Sequence, residues 1–161
     1  MQVLFFWGKW RTMIEIFAMT QGHALWDKTI AFAQDCTWKA GPYLAELMIQ
    51  DQFLEWERVF VARDDKKIVG FCTFVEKDEL PEEYDVSPFV GFVFVDEKSR
   101  GKRISEMMIK AVIKYANGIG YDKIYIMSGE QGLYEKYGFK KIGDYETIYG
   151  SVDQLFVRTT E

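Results

Sequence analysis

The chain has 161 residues, a length that predicts one domain because a single hydrophobic core typically serves about 100–200 residues. Hydrophobic residues make up 48% of the chain and charged residues 28%, a composition that argues against intrinsic disorder. The net charge of −5 disfavours general binding to nucleic acid or to an anionic membrane, because both depend on clustered Lys and Arg.

The sequence offers few ligands for a metal ion and no close cysteine pair. Cys36 and Cys72 are far apart, and His23 is the one histidine of the chain. We therefore expect no metal site, and we expect both cysteines to be reduced and buried. Residues 1–12 have the wrong length and charge order for a signal peptide, and no other segment is long and apolar enough to span a bilayer. These observations predict a cytoplasmic protein.

No linker, repeat or low-complexity stretch divides the sequence, so we predict a single domain over residues 1–161. Residues 13–19 alternate between apolar and polar and predict a first strand. Residues 20–33 predict a helix that begins at the Thr-Gln-Gly sequence. Residues 1–12 lie outside this pattern, and our hypothesis is that they are an extension upstream of a natural start at Met13.

The middle of the chain reads as a helix followed by three buried strands. The helix lies near residues 43–50, and strands at 58–62 and 68–75 flank a polar turn at 64–67. Residues 89–95 form a continuous apolar run, which is typical of a central strand covered on both faces.

The last third of the chain predicts one helix between two strands. Apolar residues recur at helical spacing on one stripe formed by Ile104, Met108, Ala111, Val112 and Tyr115. Residues 124–127 predict a strand parallel to 89–95, because a strand, helix and strand in this order make a right-handed crossover. The chain ends in a short helix and a hairpin of strands 145–149 and 155–158. The predicted class is therefore α/β or α+β with a mixed sheet.

A basic loop that contains glycine connects the strand at 89–95 to the following helix. Backbone N–H groups and the positive end of the helix dipole converge at such a point and suit an anion. Lys102 and Arg103 fall in or beside the first helical turn, where a cation costs up to about 1 kcal/mol unless a negative charge offsets it. From this stretch alone, a phosphate site and a solvated basic patch both remain open.

This loop resembles the cofactor loop of the GNAT superfamily of N-acetyltransferases, which follows the pattern Arg/Gln-x-x-Gly-x-Gly/Ala. The match begins at Arg100 and departs at Arg103, where glycine is usual, and at Ser105, where glycine or alanine is usual. The resemblance implies that the CoA pyrophosphate binds to Arg100, Gly101, Lys102, Arg103, Ile104 and Ser105. It also implies that backbone groups of Val93, Phe94 and Val95 contact the pantetheine arm.

A second match lies downstream at residues 132–139, Gly-Leu-Tyr-Glu-Lys-Tyr-Gly-Phe, which resembles the Phe-Tyr-x-x-x-Gly-Phe segment of the same family. Tyr134 falls where the family commonly has a tyrosine that protonates the departing CoA thiolate, and we expect that role here. Tyr137 is predicted to pack and Gly138 to end the helix in a left-handed conformation. A core position for Tyr134 is the structural alternative.

The resemblance implies a mixed, mostly antiparallel central sheet with flanking helices and a parallel pair of strands splayed at the acetyl-CoA site. It implies transfer of an acetyl group from acetyl-CoA to an amine, in a monomer or homodimer, without a metal. Candidate general bases are Glu76, Asp85, Glu130 and His23.

Two other functions remain as alternatives at this point. A non-catalytic acyl-CoA-binding sensor or interaction module would share the cofactor loop. A nucleotide-binding protein is disfavoured, because the sequence lacks Gly-x-x-x-x-Gly-Lys-Ser/Thr. No motif in the sequence identifies the molecule that accepts the acetyl group.

Overall fold

The computed structural model describes residues 3–7 and 13–161. In chain order its elements are β1 Val3–Trp7, β2 Met13–Met19, α1 Trp26–Asp35, α2 Gly41–Ile49, β3 Arg58–Asp64, β4 Lys67–Val75, β5 Phe89–Val95, α3 Ile104–Gly118, β6 Lys123–Ser128, α4 Leu133–Lys136, β7 Lys140–Glu146 and β8 Val152–Thr159.

The strands form one sheet in the order β1-β2-β3-β4-β5-β6-β8-β7. β5 and β6 are parallel, with Phe89 opposite Tyr125 and Val90 opposite Ile126. The pairs β1–β2, β2–β3, β6–β8 and β7–β8 are antiparallel. The predicted mixed, mostly antiparallel sheet with flanking helices is therefore confirmed, as is the predicted parallel pair.

The described residues group into two compact units. The first unit holds the chain up to Thr73 together with Phe92–Ala111. Its main core forms where α1 and α2 pack on the strands, and the fully buried side chains of this core include Met19, Leu44, Met48, Val59, Val61 and Phe71. Aromatic rings then extend this core over the end of β5, where Trp38 stacks on Phe94 with ring centroids 5.9 Å apart.

The second unit holds Phe74–Gly91 and Val112–Glu161. One apolar cluster of this unit is built from Leu80, Phe89, Met127 and Leu155. Tyr115 and Tyr121 contact the ring of Phe74 edge-on, which fixes the C-terminal half of α3 to the end of β4. These contacts explain the helical stripe in the sequence, because its apolar positions face the sheet.

The first helix begins later than predicted. Thr20–Gly22 form a turn, in which the N–H of His23 donates to the carbonyl of Thr20 and Gly22 has φ of +95°. A left-handed residue does not continue a helix, so α1 begins only at Trp26.

The predicted C-terminal hairpin was wrong in its boundaries. Its first strand is β7, Lys140–Glu146, and residues 147–151 form the turn. The predicted strand at 145–149 covers this turn, where Tyr149 is 76% exposed. Apolar residues interspersed with polar ones at a hairpin tip therefore gave a false strand signal.

The hypothesis about residues 1–12 falls partly outside the described residues, which omit 1–2 and 8–12. Residues 3–7 form β1, which pairs with β2. The N-terminal extension and the single domain stay predictions. Within the part of the chain that the structure describes, no helix is long and apolar enough to cross a membrane.

Close contact between the backbones of β4 and β5 depends on Gly70. A Cβ atom at this position would lie 2.7 Å from the carbonyl oxygen of Phe94 and 3.4 Å from the methyl carbon of Met108. The nearest of these atoms belongs to the backbone, so it cannot rotate away as a flexible side chain can. The N–H of Asp96 donates to the carbonyl of Val69 at 2.8 Å and holds the same pair of strands together.

We therefore expect Gly70→Ala to destabilise the protein by about 1–3 kcal/mol, the usual cost of overpacking a dense interior. Gly118→Ala is the matched control, because a Cβ there meets no atom within 4 Å and alanine favours a helix. Urea unfolding of both variants measures the difference. Equal stability of the two variants would contradict this explanation of Gly70.

Candidate functional site

The last residues of β5 lie under a group of aromatic rings. Phe94 contacts Phe71 with ring centroids 5.4 Å apart, and Trp38 covers Phe92 edge-on at 6.1 Å. Phe92 has φ of +48°, in the left-handed region. A bulky residue inside a strand adopts this conformation only under strain, and such irregularities are common beside functional sites. The predicted pantetheine-binding residues, Val93–Val95, follow directly after it.

The loop after β5 contains two further left-handed residues. A short 3₁₀ turn at Glu97–Ser99 leads to Gly101 with φ of +87°, then to Arg103 with φ of +61°. The carbonyl of Arg103 accepts the N–H of Met107, so Arg103 stands immediately before the first turn of α3. The usual glycine at this position thus has a physical reason, since a residue with a Cβ atom pays about 1–2 kcal/mol for this conformation.

The cationic side chains of the loop differ in which protein groups lie close to their charge. Lys102 Nζ lies 3.5 Å from Asp64 Oδ2, so its charge has a partner. Arg100 donates from Nε to the carbonyl of Val95 at 3.1 Å and lies over the ring of Phe94. Arg103 is 83% exposed, and its guanidinium is 4.0 Å from the carboxylate of Glu106. Arg103 is therefore the loop cation best placed to meet an anion from solvent.

A helix N-terminus with an exposed arginine can bind a phosphate group. Its first N–H groups lack acceptors within the helix, and the dipole adds positive potential at the same place. The structure thus brings residues 93–95 and 100–105 together in the first unit as one continuous strand, loop and helix start.

Tyr134 belongs to the second unit and lies on the short helix α4. It is 4% exposed, and its ring packs against Tyr137, Phe139 and Phe156 at centroid distances of about 6 Å. Gly138 has φ of +87°, which confirms its predicted left-handed conformation at the helix end. The packing of Tyr134 does not test its predicted catalytic role, which stays a prediction.

The predicted general bases occupy exposed or partly exposed positions. Glu76, Asp85 and Glu130 have exposed side chains in the second unit. His23, in the first unit, accepts the N–H of Leu25 at Nδ1. Its pKa is lowered by burial and by the nearby charge of Arg63, so the imidazole is neutral at pH 7.

Sequence reasoning missed two carboxyl groups, Asp78 and Glu79, in the segment after β4. Burial raises the pKa of Asp78 to about 6. Burial, the charge of Asp78 and a hydrogen bond with Asp153 raise the pKa of Glu79 to about 7. In the sequence these two residues are one acidic pair among many, and only the fold brings Asp153 of β8 beside them.

The cysteines are both free, although only Cys72 is fully buried. Burial raises the pKa of the Cys72 thiol, which is therefore not ionised at pH 7. Cys36 is partly buried, so the prediction of two buried cysteines was wrong for this residue. Within residues 3–7 and 13–161, no group of three or more His, Cys, Asp or Glu side chains is arranged to hold a metal ion.

A family model described as "Acetyltransferase (GNAT) domain" matches residues 55–141. Among curated proteins, none matches the sequence significantly. The similar solved structures include aminoglycoside 6'-acetyltransferase type Ii, with a TM-score of 0.70 and 18% identity over 91% of this chain and 97% of that one.

Two further similar structures contain a bound cofactor. One is an aminoglycoside 6'-N-acetyltransferase complexed with coenzyme A, with a TM-score of 0.67 and 16% identity over 91% of this chain and 97% of that one. The other is a GNAT family acetyltransferase from Elizabethkingia anophelis with acetyl-CoA bound, with a TM-score of 0.62 and 19% identity over the same shares of the two chains. Identities this low show a shared fold.

The raised pKa of Glu79 predicts how stability depends on pH. Between its ordinary value of 4.5 and about 7, the folded protein keeps a proton that the unfolded chain has released. The unfolded chain then binds fewer protons, so the free energy of unfolding falls as pH rises through this range. Glu79→Gln should make this fall shallower.

Urea unfolding between pH 4.5 and 8 measures the slope. Glu83→Gln removes an exposed carboxylate nearby and serves as the control, with a slope like that of the wild type. If the Glu79→Gln variant had the same slope as the wild type, the pH dependence could not come from a raised pKa of Glu79.

Proposed function

This chain belongs to the GNAT family of acetyltransferases, and we infer that it transfers the acetyl group of acetyl-CoA to a primary amine by direct attack on the thioester. One observation carries this proposal, namely the continuous arrangement of β5, the loop at Arg100–Ser105 and the start of α3. The left-handed Arg103 supports it, because it stands where the family has its glycine.

In this proposal the cofactor lies along the first unit in a fixed direction. The pyrophosphate binds at the N-terminus of α3, where Arg103 adds positive charge from its exposed position. The pantetheine arm then follows backbone groups of Val95, Phe94 and Val93. An arm that follows these three residues covers about 10 Å of β5, and its end, with the thioester, then lies beside Phe92.

The proposed reaction needs a nucleophile, an oxyanion site and a proton for sulfur. The lone pair of the neutral amine attacks the thioester carbon, and the carbonyl electrons move onto oxygen, where backbone N–H groups of β5 stabilise the charge. As the oxyanion collapses, the carbon–sulfur bond breaks and sulfur keeps its electron pair. The nitrogen loses one proton, and the thiolate gains one.

Tyr134 is the proposed donor of the proton to sulfur. A phenol has a reference pKa of about 10 and is neutral at pH 7, so it can donate to an alkyl thiolate, whose conjugate acid has a pKa of about 8.5. Position in the family motif supports this role, and the aromatic packing around Tyr134 would keep the ring in one orientation.

The amine needs a proton acceptor in this proposal. An alkylamine with a reference pKa near 10.4 is mostly protonated at pH 7 and must lose a proton before attack. The candidate acceptors are Glu76, Asp85, Glu130 and His23, and a water chain can serve in place of a side chain. The net charge of −5 favours a cationic acetyl acceptor over an anionic one.

The proposal extends to location and assembly. Two free cysteines suit a protein of the reducing cytoplasm. For assembly we propose a monomer or homodimer, and the amide-forming chemistry above uses no metal.

Reversal of charge at Arg103 tests the cofactor site. Arg103→Glu should weaken CoA binding by about tenfold or more, because it replaces attraction of the pyrophosphate by repulsion. Arg103→Gly should weaken binding less and raise Tm, because it removes charge and relieves the left-handed strain. Isothermal calorimetry with CoA measures the affinities.

The control for charge alone is Lys114→Glu, which makes the same change about 16 Å farther along α3. It should bind CoA as the wild type does. Equal binding by the Arg103→Glu variant and the wild type would contradict the proposed loop site, and failure of the folded wild type to bind CoA would contradict the proposed function.

Turnover separates an enzyme from the alternative of a non-catalytic acyl-CoA-binding module. With acetyl-CoA and a panel of primary amines, the wild type should release free thiol, and Tyr134→Phe should lower kcat by about tenfold or more with little change in CoA affinity. Tight cofactor binding without thiol release on any amine would favour the binding module instead.

A further inference from the structure

Thr73, on β4, carries a buried hydroxyl group that has no hydrogen-bond partner among the described residues. The residue is 1% exposed, and its Oγ1 is closed off from solvent. A buried hydroxyl without a partner is unfavourable, and valine has nearly the same shape without this disadvantage. Thr29 shows the usual solution, because its equally buried hydroxyl donates to the carbonyl of Leu25 at 2.7 Å.

Thr73 lies on the strand next to β5, two residues beyond Phe71. The strands are neighbours in the sheet, the N–H of Asp96 bonds to the carbonyl of Val69, and the rings of Phe71 and Phe94 are 5.4 Å apart. These pairs run in opposite directions along the two strands. From Phe71 to Thr73, β4 therefore runs in the direction that leads from Phe94 to Phe92 on β5.

Thr73 lies on the face of the sheet that carries the aromatic rings. Side chains alternate between faces along a strand, so Thr73 shares the face of Phe71, two residues earlier. Trp38 contacts Phe71, Phe92 and Phe94 on this same face. The unpaired hydroxyl and the left-handed residue Phe92 therefore lie on the same face of neighbouring strands within the first unit.

The reacting end of the cofactor lies at this part of β4 and β5 if the proposed function is correct, and the inference about Thr73 rests on that function. The pyrophosphate loop and the three residues Val93–Val95 bring the thioester to the level of Phe92. Phe92 and Trp38 on this face are only partly buried, so either side chain can change its rotamer when a ligand binds.

We propose that Thr73 is a further catalytic residue, whose hydroxyl donates a hydrogen bond to the carbonyl oxygen of the thioester. When the amine attacks, this oxygen takes the carbonyl electron pair, and the hydrogen bond strengthens as the charge develops. The hydroxyl proton stays on Thr73 throughout, so the proton that sulfur gains and the proton that nitrogen loses pass through other groups. A hydroxyl that is unpaired in the free protein thereby gains its partner from the substrate.

The test compares acetyl-CoA with CoA, which lacks the carbonyl group. Calorimetry on Thr73→Val should show acetyl-CoA binding weakened by about threefold to tenfold, with CoA binding as in the wild type. Thr73→Ser keeps a hydroxyl and should restore most of the lost affinity. With any amine that the wild type acetylates, Thr73→Val should also lower kcat by about tenfold or more.

Thr29→Val is the matched control, because it removes a buried hydroxyl that already has a partner. It should lower Tm by a few degrees and leave both affinities unchanged, whereas Thr73→Val should keep or raise Tm.

Equal effects of Thr73→Val on acetyl-CoA and CoA, or no effect on either, would overturn the role of Thr73 and leave the proposed function intact. Binding of neither ligand by the folded wild type would overturn the proposed function itself, and with it the inference about Thr73.

Discussion

The backbone of β5 lies so close to β4 that the residue facing it, Gly70, has no room for a Cβ atom. This close contact fixes the position of the strand that ends at Val95, and the hydrogen bond from Asp96 to Val69 extends it to the first residue of the loop. Two residues before Phe94 on the same strand, Phe92 has a left-handed conformation, which persists only where the surrounding structure holds it. The position of the loop and of the start of α3 follows from the same constraint.

The loop shows how a sequence can depart from a family pattern and keep the geometry that the pattern encodes. Arg103 adopts the left-handed conformation that glycine adopts without strain, so the chain gives up some stability and gains an exposed cation beside a helix N-terminus. Lys102 adds less, since Asp64 already balances its charge. An anion bound at this point would offset the strain at Arg103 by attraction between opposite charges. Local irregularities of this kind are typical of functional sites.

Much of the fold could be predicted from the sequence, because apolar periodicity marks β2, α2, β3, β4, β5, α3 and β6 directly. The errors have local physical causes: the turn at Gly22 delays α1, and apolar residues at the exposed hairpin tip imitate a strand. The loop that we propose as the cofactor site was recognised from its glycine and its basic residues. The unpaired hydroxyl of Thr73 could not be predicted, because it depends on which acceptors the fold brings near a buried side chain. The raised pKa of Glu79 could not be predicted either, because it depends in part on Asp153, which is remote in sequence.

The most direct test of the central claim is a crystal structure of the protein with a non-hydrolysable acetyl-CoA analogue that keeps the carbonyl oxygen. We predict pyrophosphate density at residues 100–105, a pantetheine arm along Val93–Val95, and the carbonyl oxygen within hydrogen-bond distance of Thr73 Oγ1. An analogue bound away from β5 and from this loop would contradict the proposed cofactor site.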